Sequence, residues 1–473
     1  MTWMLAAVLG YVVLQLIVGA LASFRTRNED EYLLAGRRLG FPMIVMTVFA
    51  TWFGAETCIG ASGAIYAEGL SGSRADPFGY ALCIFVMGIF FATVLWRRKL
   101  TTIADVFRTT YGPGVEKLGV LLMAPTSVLW AAAQIRAFGQ VLSASSDLSV
   151  SVAITVAAVV VIVYTVMGGL LADAVTDFLQ GIVLVIGLAV LCGALLFTPI
   201  DGESLRVALA PERLSFWAEG EPLWARLEAW TIPIIGSLFA QELVSRILAA
   251  KTPRVARSGA LTAGTVYFLV GLMPVTLGLL GPALAPGLED PEQLLPTLAQ
   301  HLLHPVLYVV FAGGLISAIL STVDSTLLAA AALTSHNFVI PVLRVEDERH
   351  KVRVARIFVV IFGLVAYLMA QYAEGVYALV EEASAFGSAG LFVVILFALA
   401  TRLGGARSAA ASLVCGVAAY VYFGYLTGSA YPFLISLASS AAAYLFTSFF
   451  DARAAVPSVE SPRDEGQRED QGR

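Results

Sequence analysis

The sequence predicts an all-α integral membrane protein of about thirteen transmembrane helices, built as a 5+5 inverted repeat with discontinuous helices at the midplane. Three observations predict it. First, 58% of the 473 residues are hydrophobic and only 13% are charged, where a soluble chain is about one quarter charged. The apolar runs recur along the whole chain and outlast the roughly ten-residue alternating strands of a membrane barrel. Second, two interrupted spans carry acids, one around Glu56 and one around Glu242, five spans apart. Such a pair marks a midplane site between repeats of opposite sense. Third, the segment 313–335, GGLISAILSTVDSTLLAAAALTS, is apolar enough for lipid, yet sets Ser317, Ser321, Asp324 and Ser325 on one helical face. A carboxylate at membrane depth faces a bundle interior, a cavity or an ion path. Hydroxyls beside it make a hard oxygen set suited to a small cation.

Taken in order, the first span covers 3–24. It lacks a positive n-region and a cleavage site, and arginines follow it, so it reads as a retained helix. The second, 41–69, holds Gly54, Gly60 and Gly63 around Glu56. Glycine there lets the helix unwind and carbonyls face a ligand, or lets helices pack closely. Spans follow at 77–96, 118–142, 149–171 and 174–198. The seventh, 228–249, contains Pro233, Gly236, Gln241 and Glu242, and the remainder are 258–284, 303–336, 353–372, 375–401, 408–427 and 429–449. The chain therefore divides into an extra helix and loop (1–40), a first repeat (41–198), a loop (199–227), a second repeat (228–401), two peripheral helices (402–450) and a polar, disordered tail (451–473). Alternate connections hold twenty Lys and Arg, Arg246 among them, against four in the opposite set (Arg74, Arg206, Arg213, Arg226). That asymmetry predicts a multi-pass protein of the cell membrane with its N-terminus outside and its C-terminus in the cytoplasm.

Other classes are disfavoured. A net charge of −5 without a basic patch gives no surface for nucleic acid. Cys58, Cys83, Cys192 and Cys415 lie in apolar segments without CxxC spacing. The four histidines form no HExxH, so no enzyme is read. Nothing resembles a repeated carbonyl filter, and no obligate protein partner is indicated. Glu56, Arg136 and Glu242 lie within spans, and each is a functional candidate because an uncompensated charge there is costly. Arg136 either clamps a substrate carboxylate or neutralises Glu56 or Glu242.

Four stretches carry a family resemblance: FATWFGAETCIGASGAIYAEG (49–69), YTVMGGLLADAVTDFLQG (164–181), SRILAAKTPRVA (245–256) and ISAILSTVDSTLLAAA (316–331). Through them the chain resembles the sodium:solute symporter family over nearly all of 1–450. The resemblance implies the leucine-transporter fold and sodium-coupled import of a small organic solute by alternating access. It implies a sodium site from the carbonyls of Ala50, Phe53 and Ala318 and the hydroxyls of Ser321 and Thr322. In some members a second sodium site exists, and its positions match Asp177, Ser321, Asp324 and Ser325. Asp324 departs from the hydroxyl expected there, and Asp177 reads equally well as an interfacial charge. ATWFG (50–54), DPFGYALC (76–83) and LWAAA (129–133) resemble the choline-transporter branch. They imply Trp52, Tyr80 and Trp130 as cavity walls, holding an ammonium by cation–π attraction. Ala240 stands where that branch places a further aromatic. With Glu56, Arg136, Gln241 and Glu242 these form the expected substrate site, favouring an amine-containing, choline-like or zwitterionic solute. A sugar or monocarboxylate symporter, or a solute-sensing receptor on the same fold, are the alternatives.

Overall fold

A computed structural model describes residues 29–451, except 145, 147, 168, 169 and 374, together with Gly10 and Val13. The expected first span and the tail beyond residue 451 lie outside these described residues. Among them, regular structure is helical; the one β pairing is a bridge between Leu39 and Ala250. It ties the connection before the second span to the end of the seventh.

Among the described residues, nine helices are long and apolar enough to cross a bilayer, or ten when the bent pair Phe41–Trp52 and Glu56–Gly72 counts as one span. Val150–Val166 and Pro432–Ser448 are apolar but shorter. Each expected span from the second to the thirteenth therefore has its helix, but thirteen crossings are not established. Helix starts follow local chemistry. The Thr252 hydroxyl accepts from the Val255 N–H at 3.2 Å ahead of Pro253, and the Asp347 carboxylate accepts from the His350 N–H at 3.2 Å.

The ninth span, Pro305–Thr334, is the axis of the molecule. Every residue from Phe311 to Leu333 is buried. It packs against the fourth, Pro113–Ser143, the sixth, Asp173–Leu195, and the tenth, Glu348–Tyr372. Its small side chains allow that close approach. Past its expected end it continues through a wide turn, Ser335–Val339, to Leu343.

The two interruptions expected from the glycines are present. The second span bends by 51°. Phe53 leaves the helix at φ −97°, ψ 80°, and Glu56–Ala61 continues as a π-helix. The seventh runs helically over Leu223–Thr231, widens at Ile232–Gly236, turns, and resumes at Gln241–Ala249. Gly236 is required there, because a Cβ would lie 2.2 Å from the Ser384 carbonyl oxygen.

One reading of the connections is corrected. Arg246, counted among the loop cations, is 1% exposed inside the helix Gln241–Ala249. Its counter-charges come from the sixth span, which linear position does not reveal.

The end bearing the basic connections is closed by a polar network. Asn337 donates to Asp105 and Glu116, each at 2.8 Å, and accepts from Thr102 at 2.7 Å. His336 meets Glu29 at 2.9 Å. Burial pushes the Asp105 carboxyl up, but contacts from His336 and the Thr101 and Thr102 amides prevail and hold it below the usual range. A depressed acid stabilises above its ordinary pKa, and the contribution is lost as pH falls through the folded value. The Asp105 contribution is therefore fully present at neutral pH and is lost as pH falls below about 4. Asp105→Asn should lower the melting temperature at pH 7 and flatten the acid limb of a melting-temperature series.

Candidate functional site

The cradle forms where the broken second span meets the ninth. The Ala50 carbonyl accepts from Ser321 Oγ at 3.2 Å and from Thr322 Oγ1 at 3.3 Å. Thr322 Oγ1 also reaches the Ala318 carbonyl at 3.2 Å. Four of the five expected ligand residues thus converge, and Phe53 stands at the break itself. Local chemistry opens the helix here: Thr51 returns its hydroxyl to the Thr47 carbonyl at 2.6 Å, a bond that competes with the ladder. Gly54 leaves room for the cradle. A Cβ on it would lie 2.5 Å from Thr322 Oγ1, 2.9 Å from Gln134 Oε1 and 3.0 Å from Glu56 Oε2.

Gln134 braces the break, donating to Glu56 Oε2 at 2.6 Å and accepting from the Ala55 N–H at 3.1 Å. Its only signal in the sequence is a lone amide in an apolar span.

The second expected ion set is divided. Asp177 accepts from both Ser321 and Thr47. Ser325 instead joins Asp173, and Arg246 donates to both Asp173 and Ser325. Asp324 interacts with Thr165, and its Oδ1 accepts no hydrogen bond. Its hydrogen-bonding contact is with Thr165 of the fifth span, not with Asp177 or Ser325.

On the solute side, Trp52, Tyr80 and Trp130 touch one another, with ring centroids 5.4, 5.6 and 5.9 Å apart. Those are ring-packing distances, so the expected cage is closed upon itself. Tyr80 is fixed by a hydroxyl contact to Ser384 at 2.9 Å, and Ser384 also accepts from Ser237 at 3.0 Å. A cavity of about 280 Å³ with Arg74 and Glu381 in its walls reaches Tyr80 from one end. A slit of about 30 Å³ reaches Trp130 from the other, past Glu242 and Ser127; that is room for about one water. Glu56 is 1% exposed, and its Oε1 accepts no well-formed hydrogen bond although Trp130 is beside it.

Two expected substrate residues are committed elsewhere. Gln241 accepts from the Ile103 N–H and donates to Ser245, each at 2.8 Å. Arg136 donates to the Ala370 carbonyl at 3.3 Å and its charge faces Glu292. No ion pair joins it to Glu56 or Glu242.

This arrangement of broken helices around a midplane cradle is the leucine-transporter fold. A substrate-bound, outward-open Na+-coupled sialic acid symporter matches it with a TM-score of 0.84, covering 96% of this chain and 98% of the other at 16% identity. MhsT in complex with L-phenylalanine matches at a TM-score of 0.52 and 13% identity, covering 86% of this chain and 97% of the other. A sequence model of the sodium:solute symporter family matches residues 32–416, and the chain belongs to that family, which consists of transporters and not enzymes. It is 28% identical to high-affinity choline transporter 1 of Drosophila melanogaster over 82% of this chain and 64% of the relative. The Homo sapiens protein is 27% identical, over 79% and 69%. An uncharacterized Escherichia coli symporter, YidK, is 26% identical over 91% and 81%. The chain thus spans about two thirds of the length of the choline transporters it matches.

Proposed function

We propose that the protein is a sodium-coupled symporter that imports a small amine-containing solute by alternating access. One observation carries the reading: the oxygens of Ala50, Ala318, Ser321 and Thr322 converge beside a closed aromatic layer that holds the buried acid Glu56. Neutral hard oxygens suit a weakly held alkali cation. Aromatic faces with an adjacent carboxylate suit an ammonium. A second acid, Glu242, waits on the inward side of the same rings. Arg136 is engaged by the Ala370 carbonyl and faces Glu292, so a carboxylate clamp is not part of the proposal.

Sodium between the second and ninth spans would hold the break against the axis and order the rings. Solute arriving from the larger cavity would part Tyr80 from Trp130. Opening at Gln241 and Glu242, with the four-helix bundle rocking against the rest, would release both. The basic end is then cytoplasmic, by the excess of Lys and Arg there.

An uptake screen in proteoliposomes tests this, with quaternary amines, amino acids, monocarboxylates and sugars, each under a sodium, potassium or proton gradient. Sodium-driven uptake of amines is expected. Uptake confined to sugars or monocarboxylates overturns the solute assignment. Trp52→Ala should raise the half-saturating solute concentration about 2- to 30-fold, the worth of one ring, without loss of expression.

A further inference from the structure

Resting on that reading, we infer that Arg246 is the site's resident second cation, and that Asp177 positions Ser321 for a single sodium ion instead of binding another. The groups lie on four elements. Thr47 belongs to the second span, Asp173 and Asp177 to the sixth, Arg246 to the seventh, Ser321 and Ser325 to the ninth. Arg246 is 1% exposed, and Asp173, Asp177, Ser321 and Ser325 are each 0% exposed.

The oxygens a second ion would draw on are already in use. Asp173 and Ser325 take hydrogen bonds from the guanidinium, which also lies 3.7 Å from Asp177 Oδ2. Ser325 Oγ lies 3.0 Å from Asp173 Oδ2 and 2.8 Å from the Ser321 carbonyl. Asp324 faces Thr165, and among the described residues no three acids converge as a metal-holding group. An added sodium ion would sit against a fixed like charge. The residues therefore do not fit the second ion that the resemblance implied.

The Ser321 hydroxyl has one proton and two acceptors in reach, Asp177 Oδ1 and the Ala50 carbonyl. Given to Asp177, the proton leaves the oxygen lone pairs facing Ala50, Ala318 and Thr322, where an ion can use them. Given to Ala50, it occupies a carbonyl that the ion needs. Asp177 therefore selects the ion-ready orientation. When sodium leaves, Ser321 can turn to Ala50, and Asp177 is released toward Arg246. Because Thr47 and Arg246 lie on the two interrupted spans, sodium occupancy is felt by their ties to the sixth and ninth.

The test is sodium-dependent uptake in proteoliposomes at clamped voltage, read as the Hill coefficient and the sodium moved per solute. The unaltered protein should show a Hill coefficient near one and about one sodium per solute. Asp177→Asn should raise half-saturating sodium about tenfold, the loss of a charge-assisted hydrogen bond, with maximal rate and Hill coefficient kept. Arg246→Lys, which keeps the charge, should stay first order in sodium. Melting temperature and size-exclusion profile establish that each variant is folded. A Hill coefficient near two that falls to one in Asp177→Asn overturns the assignment and leaves symport standing, as does unchanged half-saturating sodium in that variant. Sodium-independent uptake by the unaltered protein overturns the symport reading, and this inference with it.

Discussion

Replacing Ser321 and Thr322 together by alanine should give a folded protein whose transport no longer responds to sodium. Both hydroxyls reach the Ala50 carbonyl from the ninth span, and alanine favours the helix at least as well. The loss therefore falls on the cradle. Each buried hydrogen-bonding group removed from a partner costs about 1–3 kcal/mol. At 1.4 kcal/mol per tenfold, two together should raise half-saturating sodium by about 30-fold or more. A sodium titration of uptake, run beside a melting curve, checks both halves of the expectation. Sodium dependence that survives the double substitution would remove these oxygens from the ion's path.

The second large effect is expected from a single methyl group. Gly54→Ala would place its Cβ 2.5 Å from Thr322 Oγ1. The neighbours are not free to move: Gln134 is held by Glu56 and the Ala55 amide. Overpacking of this kind costs about 1–3 kcal/mol, and here that strain is concentrated on the ion's ligands. Sodium-driven uptake should fall about 10- to 100-fold. Gly60→Ala is the matched control, since its Cβ would meet Tyr377 at 3.4 Å, an ordinary contact. Equal losses in both variants would mean that the second span tolerates no side chain at all, and that Gly54 has no special part.

The sequence made the helical class and both interruptions legible, because lipid allows few ways to satisfy a backbone and glycine marks where the helix stops. The cradle's residues were legible through the family resemblance, and Ser321 also through its place on one helical face with Ser317 and Ser325. What stayed hidden depended on partners far along the chain. Arg246 looked like a loop cation because it stands near a span's end, and its burial is explained by Asp173 and Ser325 on two other helices. Gln241 looked like a ligand, but its carbonyl serves the Ile103 amide. Arg136 looked placed to neutralise Glu56 or Glu242, and the fold sends it to Ala370 and Glu292. The closed state of the rings was equally invisible, because residue identity says which aromatics meet but not whether anything stands between them.

The ion pair between Arg246 and the sixth span bears on how the chain is made. Asp173 and Asp177 leave the ribosome about seventy residues ahead of the arginine that balances them. Until that arginine arrives, the nascent sixth helix holds two acids that hydrocarbon will not accept. Biogenesis must therefore keep the first half in a sheltered, wet setting until the second half begins to insert, so that the two halves mature as one unit.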